Sequence, residues 1–362
     1  MDNTTDNQFA HIIPDIPAKP WRNTELPKRI LVIRLQATGD MVAALPYIQY
    51  LKRSLPKTVR IDLLTREEVE AIPHNIELFN NVYSIAGGRN FKKQFFFAAA
   101  MLPQLLLHRY DVVIDLQNNE ISGLVRRSLM PKAWSAFDRF SPIPAGERYR
   151  LTIEAIGLGH NGADNNFILK PIHGIMDLLT RNGWNGSNSL IIINPAGAFQ
   201  TRNWPLTNYV QFMKLWLQHL PEAQFLILGL DVIAEKAAYL KEMLGGNLVN
   251  LVNKTSVEEA FAIAQKAKFV LSEDSGLMHM AWVSGIPTLA LFGATRSDWA
   301  RPLGKHTDFV DSSDLSCGNC MREICKYGDN RCLTRYSPEF IFSRANALLN
   351  SLVQKETASP CW

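Results

Sequence analysis

The stretch Phe269-Val-Leu-Ser-Glu-Asp-Ser-Gly-Leu-Met-His-Met-Ala-Trp-Val-Ser-Gly-Ile-Pro-Thr-Leu-Ala-Leu-Phe-Gly293 decides how the rest of the chain is read. Phe269-Val-Leu271 is a short apolar run of the kind that forms a buried strand. Asp274-Ser275-Gly276 then turns into an amphipathic segment that stops at Gly285, and Pro287–Phe292 re-enters a strand. This is a β-α-β unit with an acid, a hydroxyl and a glycine where the helix begins. Unpaired backbone N–H groups and the positive end of the helix dipole make such a turn a phosphate site. His279, four residues after Ser275, falls on the same face near the same helix end. A helix merely capped by Asp274 or Ser275, with His279 packed inside, fits these residues equally well. The rest of the chain has to decide between the two.

At 362 residues the chain exceeds the usual single-domain size, so two domains are expected. Hydrophobic residues make up 47% and charged residues 20%, a globular balance with material for two cores. No run approaches the roughly eighteen apolar residues of a membrane span. The start, Met1-Asp-Asn-Thr-Thr-Asp-Asn7, lacks the basic and apolar regions of a signal peptide, which points to the cytoplasm. Residues 1–27, with four prolines, read as a leader outside the cores. Net charge is +4 but unevenly placed. Residues 28–150 hold 18 Lys and Arg against 11 Asp and Glu, whereas residues 151–362 hold 18 against 19. A basic first half suits an anionic partner there. The surplus is too scattered, and too poor in interleaved aromatics, for nucleic acid.

Two series of alternating strands and helices follow, each predicting a doubly wound parallel sheet. The first runs from the strand Arg29–Leu35 through Val59–Leu64, Val82–Ile85 and Asp111–Leu116, with helices over Met41–Ser54 and Phe95–Leu107. The second runs from Leu190–Ile193 through Gln224–Leu228 and Leu248–Leu251 into the opening motif. The pattern loosens through Pro142–Asn166. The expected division is a leader (1–27), a Rossmann-like domain (28–172), a linker (173–189), a second Rossmann-like domain (190–337) and a C-terminal helix (338–354). That helix is expected to pack back on the first domain. Ligands in such folds sit at the carboxyl ends of the strands, here facing a cleft between the domains.

Other constellations point the same way. Gly39-Asp40 occupies the first strand-to-helix turn, where a dinucleotide site would show three glycines and this chain shows one. A carboxylate there is either a helix cap or a base for an acceptor hydroxyl. Asn194-Pro-Ala-Gly-Ala-Phe-Gln-Thr-Arg-Asn-Trp-Pro205 follows the first strand of the second half. Gly197 permits close backbone approach, and Arg202 offers a donor fork suited to phosphate oxygens. Cys317, Cys320, Cys325 and Cys332 carry the spacing C-x2-C-x4-C-x6-C, which suits either a structural metal site or free thiols in a packed loop. Lys92 and Lys93 precede the apolar run Phe95–Leu107, which is either a crossover helix packed on the sheet or a shallow membrane contact.

Taken in order, these motifs resemble glycosyltransferase family 9, the ADP-heptose:lipopolysaccharide heptosyltransferases and their relatives. The matching residues are Arg29-Ile-Leu-Val-Ile-Arg-Leu35, Gly39-Asp40, Leu45-Pro46, Asn194-Pro-Ala-Gly197 and Arg202-Asn-Trp-Pro205. Asp274-Ser-Gly-Leu-Met-His279, Gly285-Ile-Pro287, Leu291-Phe-Gly-Ala-Thr295 and the cysteine loop before Ser337-Pro-Glu339 continue the likeness. The resemblance spans residues 28–350 and implies a GT-B fold with inverting, metal-independent transfer. It implies Asp40 as general base and a basic diphosphate ligand at Arg202, where the family commonly has lysine. Asp274, Ser275, Gly276 and His279 would cradle the donor, Thr255 would sit by the nucleobase, and Glu235 best matches a family glutamate.

The resemblance further implies a nucleotide-sugar donor of the ADP-heptose type, no required cofactor and a lipopolysaccharide-core or related glycan acceptor. An anionic, lipid-linked acceptor would meet the basic first domain, with Lys92, Lys93, Arg126 and Arg127 as its contacts, and with peripheral contact at the cytoplasmic face of the inner membrane. No Asp-x-Asp pair occurs anywhere in the chain, so leaving-group charge falls to Arg202, to His279 when protonated and to the helix start. The alternatives are an epimerase-like enzyme on sugar nucleotides and a non-catalytic binding module. The first would need catalytic carboxylates in the C-terminal half; the second would have no use for both Asp40 and the Asp274–His279 cluster.

Overall fold

The computed structural model describes residues 14–358 and divides between Lys170 and Pro171 into two compact units. The first unit holds one sheet made of β1 (Ala18–Lys19), β2 (Arg29–Ile33), β3 (Arg60–Arg66), β4 (Val82–Ile85), β5 (Val112–Asp115) and β6 (Ala133–Ala136), in the order β1-β6-β5-β2-β3-β4. Every pairing is parallel except that of β1, whose Ala18 lies antiparallel opposite Ser135 of β6. The described part of the leader, residues 14–27, thus contributes a two-residue edge strand; residues 1–13 lie outside the described residues. Strands β2 and β5 are buried on both faces, which is why they read as unbroken Val, Ile and Leu runs.

The second unit holds β7 (Leu190–Asn194), β8 (Gln224–Ile227), β9 (Leu248–Asn250), β10 (Phe269–Glu273), β11 (Thr288–Leu291) and β12 (Thr307–Val310), all parallel, in the order β12-β11-β10-β7-β8-β9. In each sheet the first parallel strand lies beside the fourth, β2 against β5 and β7 against β10. The connections leave these two strands in opposite directions, which opens a crevice at their carboxyl ends. The α/β class and the paired Rossmann-like sheets agree with the sequence reading.

Several expectations change in detail. The stretch read as loose contains a helix, Ala145–Glu154, which buries Tyr149 and Ile153 and packs on the helix Thr38–Ser54. Its buried Arg148 broke the apolar pattern that would have revealed it. The expected linker, 173–189, is instead packed structure of the second unit. The helix Ile175–Arg181 buries Leu179, and the Gln224 side chain donates to Gly183 O at 2.9 Å while accepting from Asn185 N at 3.0 Å. The helix Gly276–Val283, expected to be amphipathic, buries every residue from Met278 to Val283, as befits a helix enclosed on all sides. The C-terminal helix, Pro338–Ala358, completes the second unit's own core in place of the expected return to the first domain. Its Phe342 ring lies 6.1 Å from Phe212, 5.9 Å from Trp216 and 4.9 Å from His219.

Truncating that anchor tests the packing. Phe342→Ala should destabilise the second unit by about 3–5 kcal/mol in denaturant titration, the range for emptying a buried aromatic site. A loss below about 1 kcal/mol would mean that the helix rides on the surface.

Candidate active site

At the carboxyl ends of β7 and β10 the chain brings together most of the expected donor residues. Asn194, the last residue of β7, lies opposite Ser272 and donates through Nδ2 to Ser272 Oγ at 2.7 Å and to Ser275 Oγ at 2.6 Å. Ser275 is the N-cap of the helix Gly276–Val283 and accepts from Met278 N. One step before it, Asp274 Oδ2 lies 3.5 Å from Arg202 Nη1, with both side chains largely buried. The Arg202 guanidinium also sits over the Phe199 ring at 4.6 Å. An arginine held by a carboxylate on one edge and a ring on one face keeps its remaining donors aimed in a fixed direction.

The loop carrying Arg202 is shaped by a residue the sequence reading passed over. Glu273 is fully buried. Its Oε2 accepts from Gly197 N at 2.7 Å, and its Oε1 accepts from Trp204 N at 2.7 Å and from Tyr209 Oη at 3.1 Å. One carboxyl group therefore ties both ends of the loop to β10. A Cβ on Gly197 would come within 2.6 Å of Arg202 Cβ and 2.8 Å of Glu273 Oε2, so only glycine fits there. Burial pushes the Glu273 carboxyl up to about 7, against the pull of nearby Lys236 and of its own hydrogen bonds. Lys236 donates to Pro195 O at 2.8 Å and to the Asn203 side chain, bracing the same loop.

Beside the Ser275 cap lies a cavity of about 300 Å³ whose lining includes Asn194, Leu228, Thr255, Ser275, Gly276 and Met280. Thr255, Ser275 and Gly276 thus share one concavity, as expected. A Cβ on Gly276 would meet nothing within 4 Å, leaving the first helical residue open to a ligand. His279 is buried one turn further on, and its Nδ1 accepts from the Trp282 indole at 3.0 Å. A proton on neutral His279 therefore resides on Nε2. Glu235 is not brought to this cavity: it is exposed in the first turn of the helix Ala234–Leu244, and its neighbour Lys236 reaches the donor loop instead.

In the first unit Asp40 lies in the opening turn of the helix Thr38–Ser54. It is not the N-cap, which is Ala37, but from the third helical position it accepts from Ala37 N at 3.2 Å. Its side chain is also 44% exposed, its Oδ2 lies 2.7 Å from Arg34 Nη2 and its Oδ1 lies 3.5 Å from Tyr149 Oη. Arg34 is buried, donates to Leu116 O at 2.6 Å, and stands 5.4 Å from the Tyr149 ring centre. Arg148, also buried, stacks over Phe137 at 4.9 Å. Two buried guanidiniums thus act on one half-open carboxylate, Arg34 by direct contact and Arg148 through its charge.

The four acceptor candidates are not gathered into one patch. Lys92 and Lys93 are exposed at the start of the helix Phe91–Leu107. Arg126 is turned inward, with Nε 3.3 Å from buried Asp115 and its guanidinium 4.2 Å above Trp134. Arg127 and Arg126 share a cavity of about 350 Å³ with Met130 and Pro131, the residues leading into β6. Cys317, Cys320, Cys325 and Cys332 are free thiols lining a common cavity of about 250 Å³. Among the described residues no three His, Cys, Asp or Glu side chains are grouped as a metal ion requires.

Residues 176–330 match the profile of glycosyltransferase family 9 (heptosyltransferase). The chain is 23% identical over 303 residues to lipopolysaccharide heptosyltransferase 1 of Campylobacter coli, covering 74% of this chain and 85% of that one. Its fold is similar to a family 9 glycosyl transferase from Veillonella parvula, at TM-score 0.73 and 18% identity over 90% of this chain and 97% of that one. It is also similar to the ADP-heptose lps heptosyltransferase II of E. coli, at TM-score 0.62 and 19% identity over 90% and 99%.

The buried clamp generates a pH prediction. Folded Glu273 keeps its proton up to about pH 7, whereas an unfolded glutamate releases it near about 4.3. The stability this group contributes is therefore full below the unfolded value and is lost as pH rises through the folded one. Glu273→Gln cannot titrate and offers one acceptor oxygen where two are used. The gap between wild type and variant, read by denaturant titration, should shrink by roughly 1.4 kcal/mol per pH unit across that window. Parallel stability curves for the two proteins would refute the assignment.

Proposed function

We propose that this family 9-like glycosyltransferase moves heptose from an ADP-heptose-type donor to a lipopolysaccharide-core or related glycan, with inversion and without a catalytic metal. The observation that carries the reading is the open first residue of the helix Gly276–Val283, which follows the Ser275 cap and, two residues back, Asp274 with its partner Arg202. That is a diphosphate seat: uncommitted backbone N–H groups at a helix start, with a guanidinium held alongside. The adjoining cavity, partly apolar and edged by Thr255, suits the nucleoside. The name of the E. coli structural relative, an ADP-heptose enzyme, supports the choice of donor.

In the proposed step the acceptor oxygen bonds to the anomeric carbon as the bond to phosphate breaks. The electron pair leaves with the diphosphate, whose charge is met by Arg202, the helix start and His279 Nε2–H. The acceptor proton passes to Asp40. Arg34 orients that carboxylate, which stays partly exposed. Buried Arg148, whose charge acts on Asp40, makes the first unit the side for an anionic acceptor. A lipid-linked acceptor would place the enzyme at the cytoplasmic face of the inner membrane. Epimerisation is disfavoured, because among the described residues the fully buried acid of the second unit, Glu273, is committed to Gly197, Trp204 and Tyr209.

Two substitutions test the reading in an assay with ADP-heptose and a core acceptor. Asp40→Asn should lower kcat by roughly 10²–10⁴-fold, the usual contribution of a general base, with donor affinity near normal. A folded variant with intact kcat would place the base elsewhere. Gly276→Leu should leave the melting temperature near its wild-type value, since a Cβ there meets nothing within 4 Å. It should weaken ADP binding in calorimetry by about tenfold or more, because ligand and side chain compete for the same volume. Unchanged ADP affinity would remove the diphosphate from this helix end.

A further inference from the structure

The helix Phe91–Leu107 has far more apolar surface than its contacts use. Its core side consists of Gln94, Ala98 and Leu105, with Met101 and Leu102 packed at the edge. At about 100° per residue, the side roughly opposite presents Phe96 and Leu107, which are 67% and 82% exposed. Phe95 and Leu106 flank them on one side and Phe97 on the other, all exposed. A helix on a globular surface places polar residues along this arc. Here the arc is polar only at Lys92, Lys93 and Gln104.

The charge of the segment is equally one-sided. From Ala86 to Tyr110 there is no Asp or Glu, whereas Arg89, Lys92, Lys93 and Arg109 are all present. An apolar face edged only by cations complements a layer that is anionic at its surface and apolar beneath. A second copy of this chain would bring the same cations against it, so self-association lacks that complementarity. Among the described residues no helix is long and apolar enough to cross a membrane, so the fitting geometry is a helix lying in the interface.

We propose that this face is a membrane-docking surface. Phe95, Phe96, Leu106 and Leu107 enter the acyl boundary of an anionic bilayer, while Lys92 and Lys93 extend to lipid phosphates with their stems along the apolar surface. The two lysines then serve the lipid headgroups and not the glycan. The inference gains its purpose from a lipid-linked acceptor, but lipid binding is measured without donor or acceptor, so either idea can fail alone.

The test is co-sedimentation of the full chain with vesicles of phosphatidylglycerol and phosphatidylcholine, beside vesicles of phosphatidylcholine alone. Wild type should bind the mixed vesicles, weaken as salt is raised, and bind the neutral ones poorly. The double variant Phe96→Ser, Leu107→Ser should lose roughly tenfold or more in partitioning, the effect of withdrawing two large side chains from apolar surroundings. Its melting temperature and ADP affinity should stay at wild-type values, because both residues are exposed. In a separate Phe96→Trp variant, indole emission should shift to shorter wavelength when mixed vesicles are added. Equal vesicle binding by wild type and double variant, or an unshifted indole, would overturn the proposal. So would a micromolar dimer that the double variant breaks, with no vesicle binding by either protein.

Discussion

The second unit is organised around one buried carboxyl group. Glu273 ends β10, and the hydrogen bonds it accepts from Gly197 and Trp204 fix the two ends of the loop that carries Arg202. Everything beyond inherits that placement. The Trp204 indole donates to Tyr336 O at 2.9 Å, Thr201 donates to Arg322 O, and Asn330 donates to Gln200 O at 3.2 Å. The cysteine-bearing loop is thereby laid over the back of the Arg202 loop. Leaving such a group in an apolar interior is costly unless its oxygens are satisfied. Three donors meet that cost here and convert it into a defined loop geometry.

The first unit solves a related problem differently. Its strand order repeats the arrangement of the second, yet the crevice beside β2 and β5 holds a side-chain cluster in place of an open helix start. Gln117 Oε1 accepts from Leu35 N and Gln36 N, each at 3.1 Å, closing the turn that a glycine-rich loop would leave open. Arg34, pinned to Leu116 O, then reaches Asp40. One crevice presents an open helix start, and the other presents a carboxylate held by a buried guanidinium. The same topology thus carries two different arrangements because different side chains fill the switch point.

Much of this was legible in the sequence, for identifiable reasons. Strands β2, β7 and β10 carry the apolar runs 30–33, 190–193 and 269–271, and the residues after them, Asp40, Arg202 and Asp274, stand out because charge interrupts apolar pattern. Ser275 and Gly276 were legible as a helix start because caps are local. What remained hidden depends on distance along the chain. Glu273 lies inside the most informative stretch, but nothing local shows that it binds backbone 69 and 76 residues away. Arg34 reads as the polar end of a strand until Asp40 and Tyr149 fold around it. Glu235 was matched by position within a helix, where a shift of one residue turns a side chain by about 100°, and Lys236 took the inward place.

The charge imbalance of the first half teaches a similar lesson. Summed along the sequence, it suggested one basic surface for an anionic acceptor. In space much of it is already committed: Arg34 to Asp40, Arg66 to Glu68, Arg126 to Asp115, Lys132 to Asp111, and Arg150 to Glu147 and Glu154. A paired cation contributes little field at a distance, because its partner cancels it within the screening length. The surplus that can act on a partner is concentrated where acids are missing from the sequence, and that is the segment around the helix Phe91–Leu107. Exposed phenylalanines in the same segment would be a liability in water. Cations and apolar rings together on one solvent-facing arc match the layered partner proposed above, charged outside and apolar within.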